Sequence, residues 1–501
     1  MKKWLWFIVI LSLFTATFFN QLNLNQLPEE FIRDGETVVT NDDLSYIRPA
    51  IHFNKTGVWK DEFKGYVSYF LRSPGYGSFY YLAILINPSN PLLILKIIQV
   101  LLFSVSVYCL YNIAFFFTKN ELFAIISIGI YGLIPIASNF LFYTLTEAIT
   151  PALLIFYLFF LIKSIQQVLS KKKLLYLFIA SSTFAILFIT RPVLGIFIGL
   201  IPLTVFFNFN SIKQKMWYGI ILTLLGYSLM GMWQYRNYKI TNQYVGLHPI
   251  YYADNNSIYR PQFKAFWNFT LGWAEDGSTV HHYMLPFWQK TMEGDTSKIY
   301  INQIIHQFPA SVQTHFGKAR LTEILVNYQK TILYQKQFYD KGLTMPLTEI
   351  EIETTTVKQI EQLVSDFKKD FWFTYYIASP IKVYAKMALH SNLSLNIFQV
   401  KYRNLFPMET LRWISFLIHA SSFMSILLIF CFYKKLNRFV LSTYIFAIIY
   451  LFYLCYFQRG IEERYTLPVL PVLLISLTHF IFLLNEFLNR KFVFKKSTNT
   501  V

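Results

Sequence analysis

The chain has 501 residues, 54% of them hydrophobic and only 14% charged, with a formal net charge of +18. Water-soluble domains carry about a quarter charged residues, so much of this chain is solvated by lipid. Its basic excess belongs to membrane topology and not to a nucleic-acid partner. The three cysteines, Cys109, Cys431 and Cys455, all fall inside apolar runs and form neither a disulfide framework nor a metal cluster.

A membrane-spanning helix needs roughly 20 apolar residues. Ten segments approach that length: 4–20, 91–117, 121–137, 148–168, 174–190, 193–209, 216–233, 412–433, 439–457 and 465–488. The first follows Lys2 and Lys3 and ends at Phe18-Phe19-Asn20, which is no small-residue cleavage site, so it reads as an uncleaved anchor. Alternate connections carry Lys119; Lys163 with Lys171–Lys173; Lys213 and Lys215; Lys434, Lys435 and Arg438; and Arg490, Lys491, Lys495 and Lys496. By the positive-inside rule these connections and both termini are cytoplasmic. The remaining connections face out, and two are large, 21–90 and 234–411.

The sequence therefore predicts an all-α polytopic protein of the inner or plasma membrane, with about ten transmembrane helices. Residues 1–240 form a membrane module with the first outer loop, 241–411 an extracytoplasmic α or α+β domain, and 412–501 the closing helices. Within the middle region, Ile350, Val357, Ile360, Leu363, Val364 and Phe367 share a helical face, which predicts a helix over 350–371. The stretch 246–292, rich in aromatics, Pro and Gly, reads as irregular or short-strand structure.

Acids and bases at the outer helix ends are the groups able to converge on one cavity. Asn41-Asp42-Asp43-Leu44-Ser45-Tyr46 lies in the first outer loop, with Arg72-Ser73-Pro74-Gly75-Tyr76 ahead of the next helix. Paired carboxylates divide the work of a base and a ligand holder, but an Asp before an apolar run also reads as a helix N-cap. Glu147, in Thr146-Glu147, stands at a helix mouth, where an acid equally favours the helix dipole. Arg191, Arg236 and Arg464, the last in Glu463-Arg464-Tyr465, end or begin spans on the same predicted face. Guanidinium grips phosphate bidentately, and it also anchors helices at the interface. His281 and His282 are further bases or ligands in the large loop.

These pieces together resemble the GT-C superfamily of membrane glycosyltransferases, whose protein O-mannosyltransferases and lipid A aminoarabinose transferase act on polyprenyl-phosphate sugars. The resemblance rests on Asp42-Asp43-Leu44-Ser45-Tyr46 with Ala50 and Gly57, Ser73-Pro74-Gly75-Tyr76, Thr146-Glu147, Arg191-Pro192, Arg236-Asn237 and Arg464-Tyr465 with Pro468. It covers residues 1–240 and 455–475, while 245–411 matches no pattern. The chain departs from the family's common Asp-Glu pair in having Asp42-Asp43, which leaves the second acid the less secure transfer.

The resemblance implies inverting transfer of a sugar to a hydroxyl of a lipid, glycan or protein acceptor on the extracytoplasmic face. Asp42 would be the base, supported by Asp43, with Tyr46 beside them. Glu147 would orient the acceptor or share a divalent ion with Asp42. Arg191, Arg236, Arg464 and Tyr465 would hold the phosphate. A transporter or lipid-linked glycan flippase is the alternative, but such proteins place ionisable residues near the midplane, where these spans hold almost none.

Overall fold

The computed structural model describes residues 2–63, 66–69, 72–242, 244, 246–247, 257–274, 276–343, 345, 350–389 and 404–498. All ten apolar segments are helical, but they are not ten equal spans. Among the described residues seven helices are long and apolar enough to cross a membrane, and the bent pair Glu121–Leu133 and Pro135–Phe142, taken as one span, brings the number to eight. The break of 43° falls at Pro135, where the missing N–H and the fixed φ end the preceding helix. Thr150–Gln166 and Pro192–Asn208 are shorter; at 17 residues the first is about 26 Å long, below the roughly 30 Å hydrocarbon core. Most of Thr150–Gln166 is buried inside the bundle, so neighbouring helices cover its apolar surface.

Capping places several helix starts. The side chains of Asn90, Asn120 and Asn437 accept hydrogen bonds from backbone N–H groups of the first turns they open. The first helix, Lys2–Leu24, is part of the bundle: Ser12 bonds Ser104 at 3.3 Å and Thr15 donates to the Gly132 carbonyl at 3.2 Å. Lys96, a charge within the span Pro91–Thr118, pairs with Glu36 of the first loop.

The first loop is itself structured. Two antiparallel hairpins, Ile32–Arg33 with Thr37–Val38 and Asp61–Phe63 with Tyr66–Ser68, flank the helix Asp43–Thr56. Gly57, at φ +72°, closes that helix in the left-handed conformation. The next helix, Pro74–Ile86, packs against Ser170–Thr190 so closely that a Cβ on Gly75 would sit 2.4 Å from the Thr190 Cα. Only glycine permits that approach, which draws residues 72–75 toward Arg191.

The large loop has a hydrophobic core of its own, built from Phe263, Phe266, Phe269, Met284, Phe287, Ile304, Leu325, Tyr328, Ile360, Leu363 and Phe367. The expectation for 246–292 is corrected over its described part, which is helical: Pro261–Thr270 and Thr279–Met292. Residues 248–256 lie outside the described residues. Pro261 stands at the first helical position, where its fixed φ starts a helix, and the aromatic content reflects a packed helical face. The predicted helix over 350–371 is Glu351–Asp370, with Ile360, Leu363, Val364 and Phe367 buried. Its Glu353 meets Arg260 in a buried bidentate pair at 2.8 and 2.7 Å. Such a pair is tolerable away from water only with geometry this complete.

The region is clamped to the bundle by Arg459, which has φ +52° and is fully buried. Its carbonyl accepts from the Gly277 N–H at 2.9 Å. Its guanidinium donates to the Leu271 carbonyl at 3.0 Å and to Ser379 at 2.6 Å.

Candidate active site

One polar cavity of about 160 Å³ gathers side chains from the first loop, four helix ends and the turn around Glu147. Its charged lining is Asp42, Glu147, Arg72, Arg191 and Arg464, joined by Tyr46 and Tyr465. The helix that ends at Thr190, beside Arg191, begins at Ser170 next to Lys171–Lys173. Its 21 residues span about 31 Å, so the cavity lies at the end of the bundle remote from those lysines.

Asp42 occupies the N-cap position of Asp43–Thr56, yet its side chain makes no capping hydrogen bond. Its carboxylate faces the cavity instead. Oδ1 takes Arg72 at 2.6 Å and Oδ2 takes Arg464 at 3.3 Å. Arg72 also donates to Ser45 at 3.0 Å, and its guanidinium lies 4.6 Å from the centre of the Tyr46 ring. Tyr46 stands edge-on to Tyr76 at 5.7 Å, so the aromatic motif positions of the first loop brace the arginine.

Glu147 sits in the short turn Thr146–Ala148. It accepts from Arg191 at 2.8 Å and from the Thr146 hydroxyl at 2.9 Å. Burial works to raise its pKa, but the guanidiniums of Arg191 and Arg464 outweigh it and hold the carboxyl below its ordinary range. Arg191 Nε has no hydrogen-bond partner among the described residues. Arg464 spreads its fork over three groups: Glu462 at 2.6 Å, Asp42 at 3.3 Å and the Tyr465 hydroxyl at 3.1 Å. The Tyr465 ring faces both Arg464 and Arg191, at 4.9 and 6.0 Å.

Four residues singled out in the sequence stand apart from this cavity. Asp43 is buried and points the other way, its Oδ2 gripped by Arg33 at 3.0 and 2.8 Å. A one-residue step on a helix turns the side chain by about 100°, so adjacent acids cannot share one face. Arg236 does not reach the cavity: it donates to the backbone carbonyls of Trp59 and Tyr69 and lies over the Trp233 ring, tying the first loop to its helix. His281 bonds the Tyr259 hydroxyl at 3.2 Å and packs on Phe263 and Trp267. Burial and the neighbouring His282 lower the pKa of His281; His282 is exposed. Neither histidine lines the cavity, although Tyr259 is within electrostatic reach of Arg72 and Asp42.

Arg72 is the residue that sequence reasoning passed over. It carries the same signal as Arg191, an arginine just ahead of a helix-starting proline. Tyr450, whose hydroxyl donates to the Tyr465 carbonyl at 2.7 Å, gave none, because a tyrosine within an apolar run is indistinguishable from core. Among the described residues no group of three His, Cys, Asp or Glu is placed to hold a metal, and both cavity carboxylates are already engaged by arginine.

Fold and site thus define a polytopic helical membrane protein with an acid–arginine cavity at one end of its bundle. No family model and no curated protein matches the chain, whereas four chains of solved structure do. It is similar to ArnT from Cupriavidus metallidurans in the apo state, at 12% identity and a TM-score of 0.37, over 96% of this chain and 77% of that one. For ArnT bound to undecaprenyl phosphate the values are 11% and 0.36, with the same coverage. The Archaeoglobus fulgidus oligosaccharyltransferase tethered with an acceptor peptide is similar at 12% and 0.33, over 84% of this chain and 54% of that one.

Proposed function

We propose that this protein is a membrane glycosyltransferase that moves a sugar from a polyprenyl-phosphate carrier to an acceptor hydroxyl, with inversion at the anomeric carbon. The observation that carries this reading is the meeting of Asp42, Glu147, Arg72, Arg191 and Arg464, far apart in sequence, around one cavity. Among these lining residues the guanidiniums outnumber the carboxylates three to two. A phosphate linked to a membrane-embedded chain is the ligand that complements a surplus positive charge at a bundle end. By the positive-inside rule that end is extracytoplasmic, since the lysines lie at the other.

In the proposed reaction the acceptor oxygen attacks the anomeric carbon and the bond from that carbon to the phosphate oxygen breaks. The acceptor proton passes to Asp42, and polyprenyl phosphate leaves. Asp42 is occupied by Arg72 and Arg464 in the resting cavity. A phosphate that engages Arg464 takes over that guanidinium and frees Oδ2 for the hydroxyl, which couples donor binding to activation of the base. Arg191, with Nε unpartnered, and Arg72 supply the remaining preorganised donors for the leaving oxygen. Glu147 keeps Arg191 in place. Asp43 and Arg236, bonded away from the cavity, keep the first loop in position.

The reading is tested by sugar transfer from polyprenyl-phosphate donors in reconstituted membranes. Turnover in wild type that is lost in Asp42→Asn, at normal extracted yield, supports it; binding or translocation of the donor without transfer would favour a flippase.

A further inference from the structure

The stretch 371–389 joins the large domain to the bundle through the wide π turn Thr374–Ala378 and the helix Ser379–Ala388. Its inward side spans both interiors. Tyr375 belongs to the core of the large domain, and Val383 and Met387 belong to the core of the bundle. Its height is set by the Tyr456 hydroxyl, which donates to the Tyr376 carbonyl at 2.9 Å. Tyr456 lies two residues before the end of the span Arg438–Gln458, so the stretch is level with a membrane end of the bundle.

The outward side is strongly apolar. Trp372, Phe373, Tyr376, Ile377 and Ile381 are 59%, 56%, 42%, 38% and 63% exposed, and their spacing puts them on one face. Over the described residues of 257–345 the exposed large apolar side chains, Leu285, Ile299, Tyr339 and Leu343, are scattered over separate elements. A contiguous apolar face next to spans already solvated by lipid continues that surface. Its aromatic content suits the headgroup boundary, where amphipathic rings are enriched.

We propose that the outward face of residues 372–381 lies in the headgroup and upper acyl layer of the bilayer, on the side of the large domain. The partner is the lipid surface itself, and the contact anchors that domain to the membrane beside the bundle. The inference does not depend on the transferase reading.

The test uses full-length protein in phosphatidylcholine–phosphatidylglycerol vesicles, with Cys431→Ser removing the exposed cysteine. Spin labels are placed at Phe373→Cys and Ile381→Cys. Thr355→Cys, on an exposed position of the helix Glu351–Asp370, serves as the aqueous reference. Met424→Cys, exposed on the span Phe406–Lys435, serves as the lipid reference. Collision with oxygen relative to a water-soluble nickel chelate should be several-fold higher at 373 and 381 than at 355, approaching the value at 424. A ratio matching 355 places the face in water and overturns the proposal. Low collision with both reagents means that a second protein surface covers the face, and overturns it as well. Each variant is an exposed position, and detergent-extracted yield is the check on folding.

Discussion

Replacing Asp42 by Asn separates chemistry from folding, because the structure removes the main structural role the carboxylate could have. Asp42 stands at the N-cap but makes no side-chain capping bond, so no cap is lost; Asn is in any case as good a cap as Asp. What the fold loses is the charge in two ion pairs, to Arg72 and Arg464, from a side chain that is 35% exposed. Ion pairs open to solvent contribute about 0.2–1 kcal/mol each, too little to prevent insertion or accumulation. A positioned general base, by contrast, contributes on the order of 10²–10⁴ in rate, or about 2.7–5.4 kcal/mol of barrier. Transfer by Asp42→Asn from a polyprenyl-phosphate sugar should therefore fall at least about a hundredfold per molecule of extracted protein. Activity within a few-fold of wild type, or a fall that only tracks the yield, would refute the role assigned to this residue.

Asp43→Asn should show the reverse pattern. It leaves Arg33 without its partner beside a buried side chain, at a cost of about 1–3 kcal/mol, so the thermal unfolding midpoint should drop while the surviving protein keeps its specific activity. Arg464→Lys replaces a fork that reaches Asp42, Glu462 and Tyr465 by a single point charge. With charge-assisted bonds at about 1.5–3 kcal/mol, the donor KM should rise about ten- to a hundredfold, with acceptor preference unchanged in competition assays. Glu147 titrates below its ordinary 4.5 because Arg191 and Arg464 overcome the effect of burial. A lowered folded pKa means that the carboxylate's stabilisation is complete above 4.5 and drains as pH falls through the folded value. The difference in unfolding midpoint between wild type and Glu147→Gln should thus be flat from neutral pH down to that point and shrink below it; a difference that grows with acid would contradict the pairing.

The sequence by itself determined the solvent and the helices. Long apolar runs dictate helix because backbone groups in lipid must bond internally, and every one of the ten runs is helical. It also determined which helix ends carry acid and arginine, since a charge ending an apolar run is visible without any contact. Tertiary packing decided the rest. Thr150–Gln166 and Pro192–Asn208 have the composition of spans but fall short of their length, and the composition says nothing about whether lipid or protein covers a face. Asp42 and Asp43 are equivalent on paper; the turn of the helix sends one to Arg72 and Arg464 and the other to Arg33. Arg191 and Arg236 each close a span, yet Gly75 lets the first loop approach Arg191 while Trp59 and Tyr69 capture Arg236. Those distinctions depend on which surfaces meet across hundreds of residues, and a charge at a helix end acquires its role only from the partner that folding brings to it.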